Sequence, residues 1–226
     1  MWTARDVRDY ESRVSSWAKT WATYDEPLRA ICRSHPEHGE LDAVVAKVGL
    51  VQRAYEAGLE RHVRRGDENA IVLVARALMK QRRSIDSAIG RLSGVGRGDR
   101  FDGTRLATIL EVHGTLLSVL CPLTRNGNVP RSFASKYLHF HCGAVPIYDE
   151  RARRVLSNAE HWYGGRETLR RDDIASCTRP PSADEPYCRF GLQFLAMWND
   201  ARAAGASVTV RALDAYLITY AEEQRA

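Results

Sequence analysis

Between Thr104 and Leu123 the apolar residues Leu106, Ile109, Leu110, Leu116, Leu117 and Leu120 fall at helical spacing and cover most of the helix surface. A helix this apolar must be wrapped by other elements, so it predicts a chain built around one buried helix. His113, within it, reads as a core histidine. The same periodicity recurs elsewhere. Val7, Tyr10, Val14, Trp17 and Trp21 predict a helix over Thr3 to Tyr24, with both tryptophans in the core and base stacking as the lesser alternative for them. Val44, Val48, Val51, Tyr55 and Leu59 predict a long helix over Glu40 to Val63. Ile71, Val74 and Leu78, capped by Asp67, predict another, and Ile85, Ile89 and Leu92 a second beside it. Two more follow near the end, carrying Phe190, Phe194, Met197 and Trp198, then Leu213, Tyr216, Leu217 and Tyr220. The fold class is therefore all-α.

The breaks are legible too. Asp25-Glu26-Pro27 predicts a new helix start, and Ser34-His35-Pro36 its end. The glycine-punctuated run from Leu92 to Gly103 predicts a surface loop. Ser157 to Ser182 is rich in polar and turn residues and predicts a long loop or insertion beside a site. With 226 residues the chain is large enough for one or two compact domains. The longest apolar run, around Leu116 to Leu120, is short for a membrane span, and the N-terminus lacks an apolar signal core. The expected compartment is the cytoplasm, with no membrane partner.

Five cysteines, at 32, 121, 142, 177 and 188, are odd in number and widely spaced, which argues against a disulfide framework and a zinc knuckle. The net charge of +5 and pI of about 9.1 fit nucleic-acid binding and many other roles.

The chemistry concentrates after the apolar helix. A turn at Asn126-Gly127-Asn128 feeds a helix that stops at Gly143. The step Ala144-Val145-Pro146-Ile147-Tyr148 then delivers Asp149 to the start of another helix. A carboxylate there accepts unpaired backbone N–H groups and meets the positive end of the helix dipole. By itself this is an N-cap.

In its context the stretch resembles the core of the helix-hairpin-helix DNA glycosylases. That family's pattern is a hairpin, a helix with an early packed alanine, a short apolar connector, the catalytic aspartate and an Arg-Val pair. Here these are Gly127-Asn128-Val129-Pro130, the helix Ser132–Phe140 with Ala134, the connector, Asp149, and Arg154-Val155. Two positions depart from it. Ser132 stands where bifunctional members carry a lysine nucleophile, the nearest lysine being Lys136 one turn later. Pro130 replaces a hairpin glycine and removes a backbone donor.

The resemblance implies a two-lobed fold with a cleft. A bundle over 25–120 would form one lobe, and 1–24 with 121–226 the other, the helix-hairpin-helix spanning about 113–141. It implies a monomer without cofactor or metal, and, because the five cysteines include no clustered four-cysteine run, a member without an iron–sulfur cluster. The partner would be double-stranded DNA bearing a modified or damaged base. Asp149 would be catalytic, with Lys136 beside it. Asn126, Gly127, Asn128, Val129, Arg131 and Ser132 would hold DNA, and His139, His141 and Tyr148 would shape the base pocket. Water, not an enzyme amine, would then displace the base and leave an abasic site. The setting would be base-excision repair or defence against phages with modified DNA, with defence slightly favoured. The alternatives are a catalytically silent helix-hairpin-helix DNA-binding protein and a helical interaction protein with no DNA role.

Overall fold

The computed structural model describes residues 2–63, 68–96, 99–157 and 182–224, without the side chains of 18–20 and 22. Asp67 and residues 158–181 of the predicted polar loop lie outside them. Among the described residues the protein is helical, and its only extended pairing is an isolated antiparallel bridge between Val63 and Thr124. The helices are α1 (Ala4–Ser34), α2 (Leu41–Ala54), α3 (Leu59–His62), α4 (Ala70–Lys80), α5 (Arg82–Arg91), α6 (Gly103–Leu120), α7 (Arg131–His141), α8 (Glu150–Ser157), α9 (Glu185–Ala203) and α10 (Val210–Glu223).

The helix α1 opens with a capping box, in which the Thr3 hydroxyl and the Asp6 carboxylate serve each other's backbone N–H groups. It then runs through Pro27 without the break predicted at Asp25, so the boundary read there falls inside one continuous helix. Pro27 forfeits one backbone bond. Asp25, Leu28 and Cys32 are buried on either side of it, and this packing keeps the helix intact.

The long helix predicted over Glu40 to Val63 instead ends at Ala54. Glu56 and Gly58 take left-handed backbone conformations, and Gln52 turns its side-chain oxygen to the Leu59 N–H at 2.7 Å. This early stop frees the Tyr55 carbonyl from the α-helical ladder. The cap of α4 is Asn69, which accepts the Ile71 N–H at 2.8 Å. Residues 92–95 form a 3-10 turn with Leu92 and Val95 buried, not the surface loop predicted for them.

The helix α6 is the buried axis the sequence predicts, packed by α4, α5, α7 and α9. Extended through the following 3-10 turn to Leu123, it is long and apolar enough, by length and composition, to cross a membrane, and half of its most apolar window is buried inside the protein. Two glycines allow close packing here. A Cβ on Gly114 would lie 2.2 Å from the Ser182 carbonyl oxygen, and one on Gly191 2.7 Å from Leu106. On the other side α1 packs on α2, α7 and α10, and α8 on α9 and α10. Buried side chains from these helices form one continuous apolar cluster.

Candidate functional site

The sequence after α7 is constrained at each step. The Pro146 carbonyl accepts the Tyr187 hydroxyl at 2.8 Å, and the Tyr148 N–H donates to Ser135 Oγ at 2.9 Å. These two bonds fasten the connector to α9 and α7 and place Asp149 at the start of α8. There it is the N-cap of α8, with Oδ1 accepting the Arg151 N–H at 2.9 Å. It is only 8% exposed, yet it lines an open cavity of about 720 Å3.

Two side chains hold the carboxylate. Arg151 Nε lies 3.0 Å from Oδ1, and Lys136 Nζ 3.7 Å from Oδ2. The same Lys136 donates to the freed Tyr55 carbonyl at 2.9 Å. Burial works to raise the Asp149 pKa, but the Arg151 hydrogen bond and then the Lys136 charge outweigh it, so the carboxyl sits below its ordinary value. Burial pulls Lys136 below the usual lysine value, against the opposing charge of Asp149.

A second set of charges completes the wall. Arg211 on α10 grips Asp25 of α1 through two hydrogen bonds, at 2.8 and 2.9 Å, and Asp214 through a third at 2.7 Å. The Tyr55 hydroxyl also donates to Asp25. The Arg211 guanidinium lies 4.2 Å from the centre of the Trp17 ring, over its face. Trp17 stacks on Trp21 and Trp21 on Tyr55, at centroid separations of 6.1 and 5.6 Å. Trp17, Trp21 and Tyr55 all line the cavity. The tryptophans are partly exposed there, so the prediction that both are core side chains is corrected. The charged lining balances: Arg53, Arg61, Lys136, Arg151 and Arg211 against Glu56, Asp149, Glu150, Asp214 and Glu222.

The structure thus brings Asp149, Lys136, Ser132 and Tyr148 to one cavity. It does not bring the two histidines there. His139 is fully buried, its Nδ1 2.8 Å from the Val145 carbonyl, and burial pushes its pKa down to about 3. Although it follows Lys136 by three residues, its ring is turned to the connector and not to the cavity. His141 packs against His38 and Tyr137 on the opposite side of α7, and burial holds it well below the ordinary histidine value. Neither lines the cavity.

Asn126, Gly127, Asn128 and Val129 form the predicted turn, with Asn126 and Gly127 at positive φ, but stand outside the cavity. The turn is fastened to its rim, because the Arg125 N–H donates to the His62 carbonyl at 2.8 Å and His62 lines the cavity. Arg131 points elsewhere, its Nε 2.6 Å from an Asp184 oxygen that also caps α9.

Asp25, Arg211 and Asp214 escaped the sequence reading. One signal was present: Asp214 interrupts the apolar stripe of Leu213 and Leu217, where a carboxylate needs a partner. Among the described residues no His, Cys, Asp and Glu side chains group as metal ligands would. Comparison with known proteins finds no match to this chain: no family model, no curated protein and no solved structure.

Proposed function

We propose that this chain is a DNA glycosylase that extrudes a modified base and hydrolyses its N-glycosidic bond, with Asp149 as the catalytic carboxylate. One observation carries the reading. A carboxylate held anionic at a helix N-terminus sits in the wall of an open cavity, with Lys136 and Ser132 beside it. As a base departs, positive charge grows on the sugar, and a fixed carboxylate stabilises that charge without reorganising. It also orients the water that attacks. Such a target must leave the duplex stack, which calls for a cavity wider than the base and for stacking partners within it.

Lys136 keeps Asp149 in register by joining it to the Tyr55 carbonyl. With a hydroxyl at Ser132, this favours water as the nucleophile and an abasic site as the product. The turn at 126–129, tied to the cavity rim through His62, is the proposed phosphate anchor, and the reading places two lobes on either side of the cavity. The chain would act as a monomer.

The test is a panel of duplexes carrying 8-oxoguanine, alkylated bases or hypermodified cytosines. Abasic sites without strand cleavage or borohydride trapping are the expected result. Trapping at Lys136 would overturn the water-only reaction. Salt-dependent duplex binding with no abasic site on any substrate would leave a silent DNA-binding module. No duplex binding at low salt would leave a helical interaction protein.

A further inference from the structure

Nearly every cation in the cavity lining is answered by a carboxylate. Arg53 meets Glu60 at 2.9 Å, Lys136 meets Asp149, Arg151 meets Asp149 and Glu222, and Arg211 meets Asp25 and Asp214. Arg61 is the exception. It is exposed, and among the described residues its guanidinium has no side-chain partner. His62, next to it in the lining, has none for its ring, and Glu56 of the same lining pairs with neither. A helix dipole does not account for Arg61, because α2 ends at Ala54 and α3 has only four residues.

The two side chains close on one place. Gly58, also in the lining, has a left-handed backbone with φ of 73°. A Cβ built there would lie 3.4 Å from Arg61 Nη2 and 3.5 Å from His62 Nε2. Both nitrogens flank the notch that the missing side chain leaves, near enough for one tetrahedral anion to accept a hydrogen bond from each. The backbone beneath them is held from both sides. The Leu59 N–H donates to Gln52 Oε1 at 2.7 Å, the His62 carbonyl accepts the Arg125 N–H at 2.8 Å, and Val63 is bridged to Thr124. We infer that Gly58, Arg61 and His62 form a phosphate-binding notch on the cavity rim, which holds a backbone phosphate of a nucleic acid beside the cavity that contains Asp149. A guanidinium fork matches phosphate oxygens, and a glycine lets them approach the backbone closely. That the phosphate belongs to a DNA duplex rests on the glycosylase reading; the phosphate site itself does not.

The experiment compares the full chain with Arg61→Gln and His62→Gln, singly and together. A short labelled duplex is titrated by fluorescence anisotropy at several salt concentrations, and a nucleoside 5′-monophosphate is set against its nucleoside by quenching of tryptophan fluorescence. The double variant should bind the duplex about tenfold more weakly, and the slope of log affinity against log salt should flatten by about 1, as one phosphate contact is lost. Arg202→Gln, which alters an exposed arginine outside the cavity, should change neither. An equal loss in Arg202→Gln would reduce the effect to net charge and overturn the inference. Unchanged affinity of the double variant for both probes, or no binding of either by the unaltered chain, would also overturn it. A loss confined to the monophosphate would keep the notch and overturn its assignment to a duplex. Arg61→Gln alone replaces an exposed side chain, so it reads out even where the His62 variant misfolds. Phosphate-dependent binding without base release from any duplex would keep the notch and remove the glycosylase reading, and base release with an unchanged salt slope in the double variant would do the reverse.

Discussion

Two sets of buried ionisable groups pack against α7, and they differ in what lies beyond them. On one side Lys136, Asp149, Arg211 and Asp214 line the open cavity. On the other, His38 bridges Asp86 at 2.6 Å and the Tyr137 hydroxyl at 2.7 Å, His141 stacks on His38, and Lys47 donates to the carbonyls of His35 and Glu37 at 2.9 and 3.1 Å. None of this second set lines the cavity. Both sets have displaced pKa values, since burial lowers His38 and Lys47 just as it lowers Lys136. Displaced titration therefore marks burial here, and only access to a cavity separates a candidate site from a structural network.

The sharpest way to break that comparison is Asp149→Asn. It should reduce base release by about 10³-fold, the loss expected on removing a fixed electrostatic partner of the transition state, with duplex affinity little changed. Equal loss of binding would return Asp149 to a cap alone. Lys136→Gln comes next, with a fall of about 10²-fold. It also removes a charge that holds the Asp149 pKa down, so the acid limb of the rate profile should move to higher pH. A limb that stays in place would deny the coupling.

The closed network should respond in stability and not in activity. His38→Ala leaves Asp86 and the Tyr137 hydroxyl without their shared partner and should cost about 1–3 kcal/mol in denaturant unfolding, with base release per folded molecule unchanged. Gly114→Ala, pressed against the Ser182 carbonyl, should cost a similar 1–3 kcal/mol.

The smallest effect is a pH dependence. Asp214 has a folded pKa of about 7 against an ordinary 3.8. Its neutral form is favoured by folding, so its contribution is full below pH 4 and is lost as pH rises through 7. The stability of Asp214→Asn relative to the unaltered chain should therefore climb between pH 4 and 7. His139 runs the other way. Its folded pKa of about 3 lies below the ordinary 6.5, so its contribution is present above pH 6.5 and is lost as pH falls toward 3. A difference between Asp214→Asn and the unaltered chain that is flat across pH 4 to 7 would place that carboxyl in a wetter setting than the geometry gives it.

Periodicity carried the all-helical character and most of the helices, because an apolar stripe at 3.6-residue spacing has little else to form. Asp149 at a helix start was legible for the same local reason, a short polar side chain after a proline-bearing connector. Lys136 and Ser132 followed from i, i+4 geometry on α7. The same arithmetic failed for His139 and His141, because spacing fixes a direction around the helix axis and not what stands there. His139 meets the Val145 carbonyl, and His141 meets His38.

By itself the sequence determined a set of helices, a buried axis in α6, a turn at 126–128 and a capping aspartate after it. Tertiary structure alone decided that α1 passes through Pro27, that α2 stops early enough to release the Tyr55 carbonyl for Lys136, and that Asp25 meets Arg211 across 186 positions. The physical reason is the same in each case. Local propensities differ by about 1–3 kcal/mol, and fully burying one large apolar side chain contributes about as much, so packing between distant helices is large enough to override them.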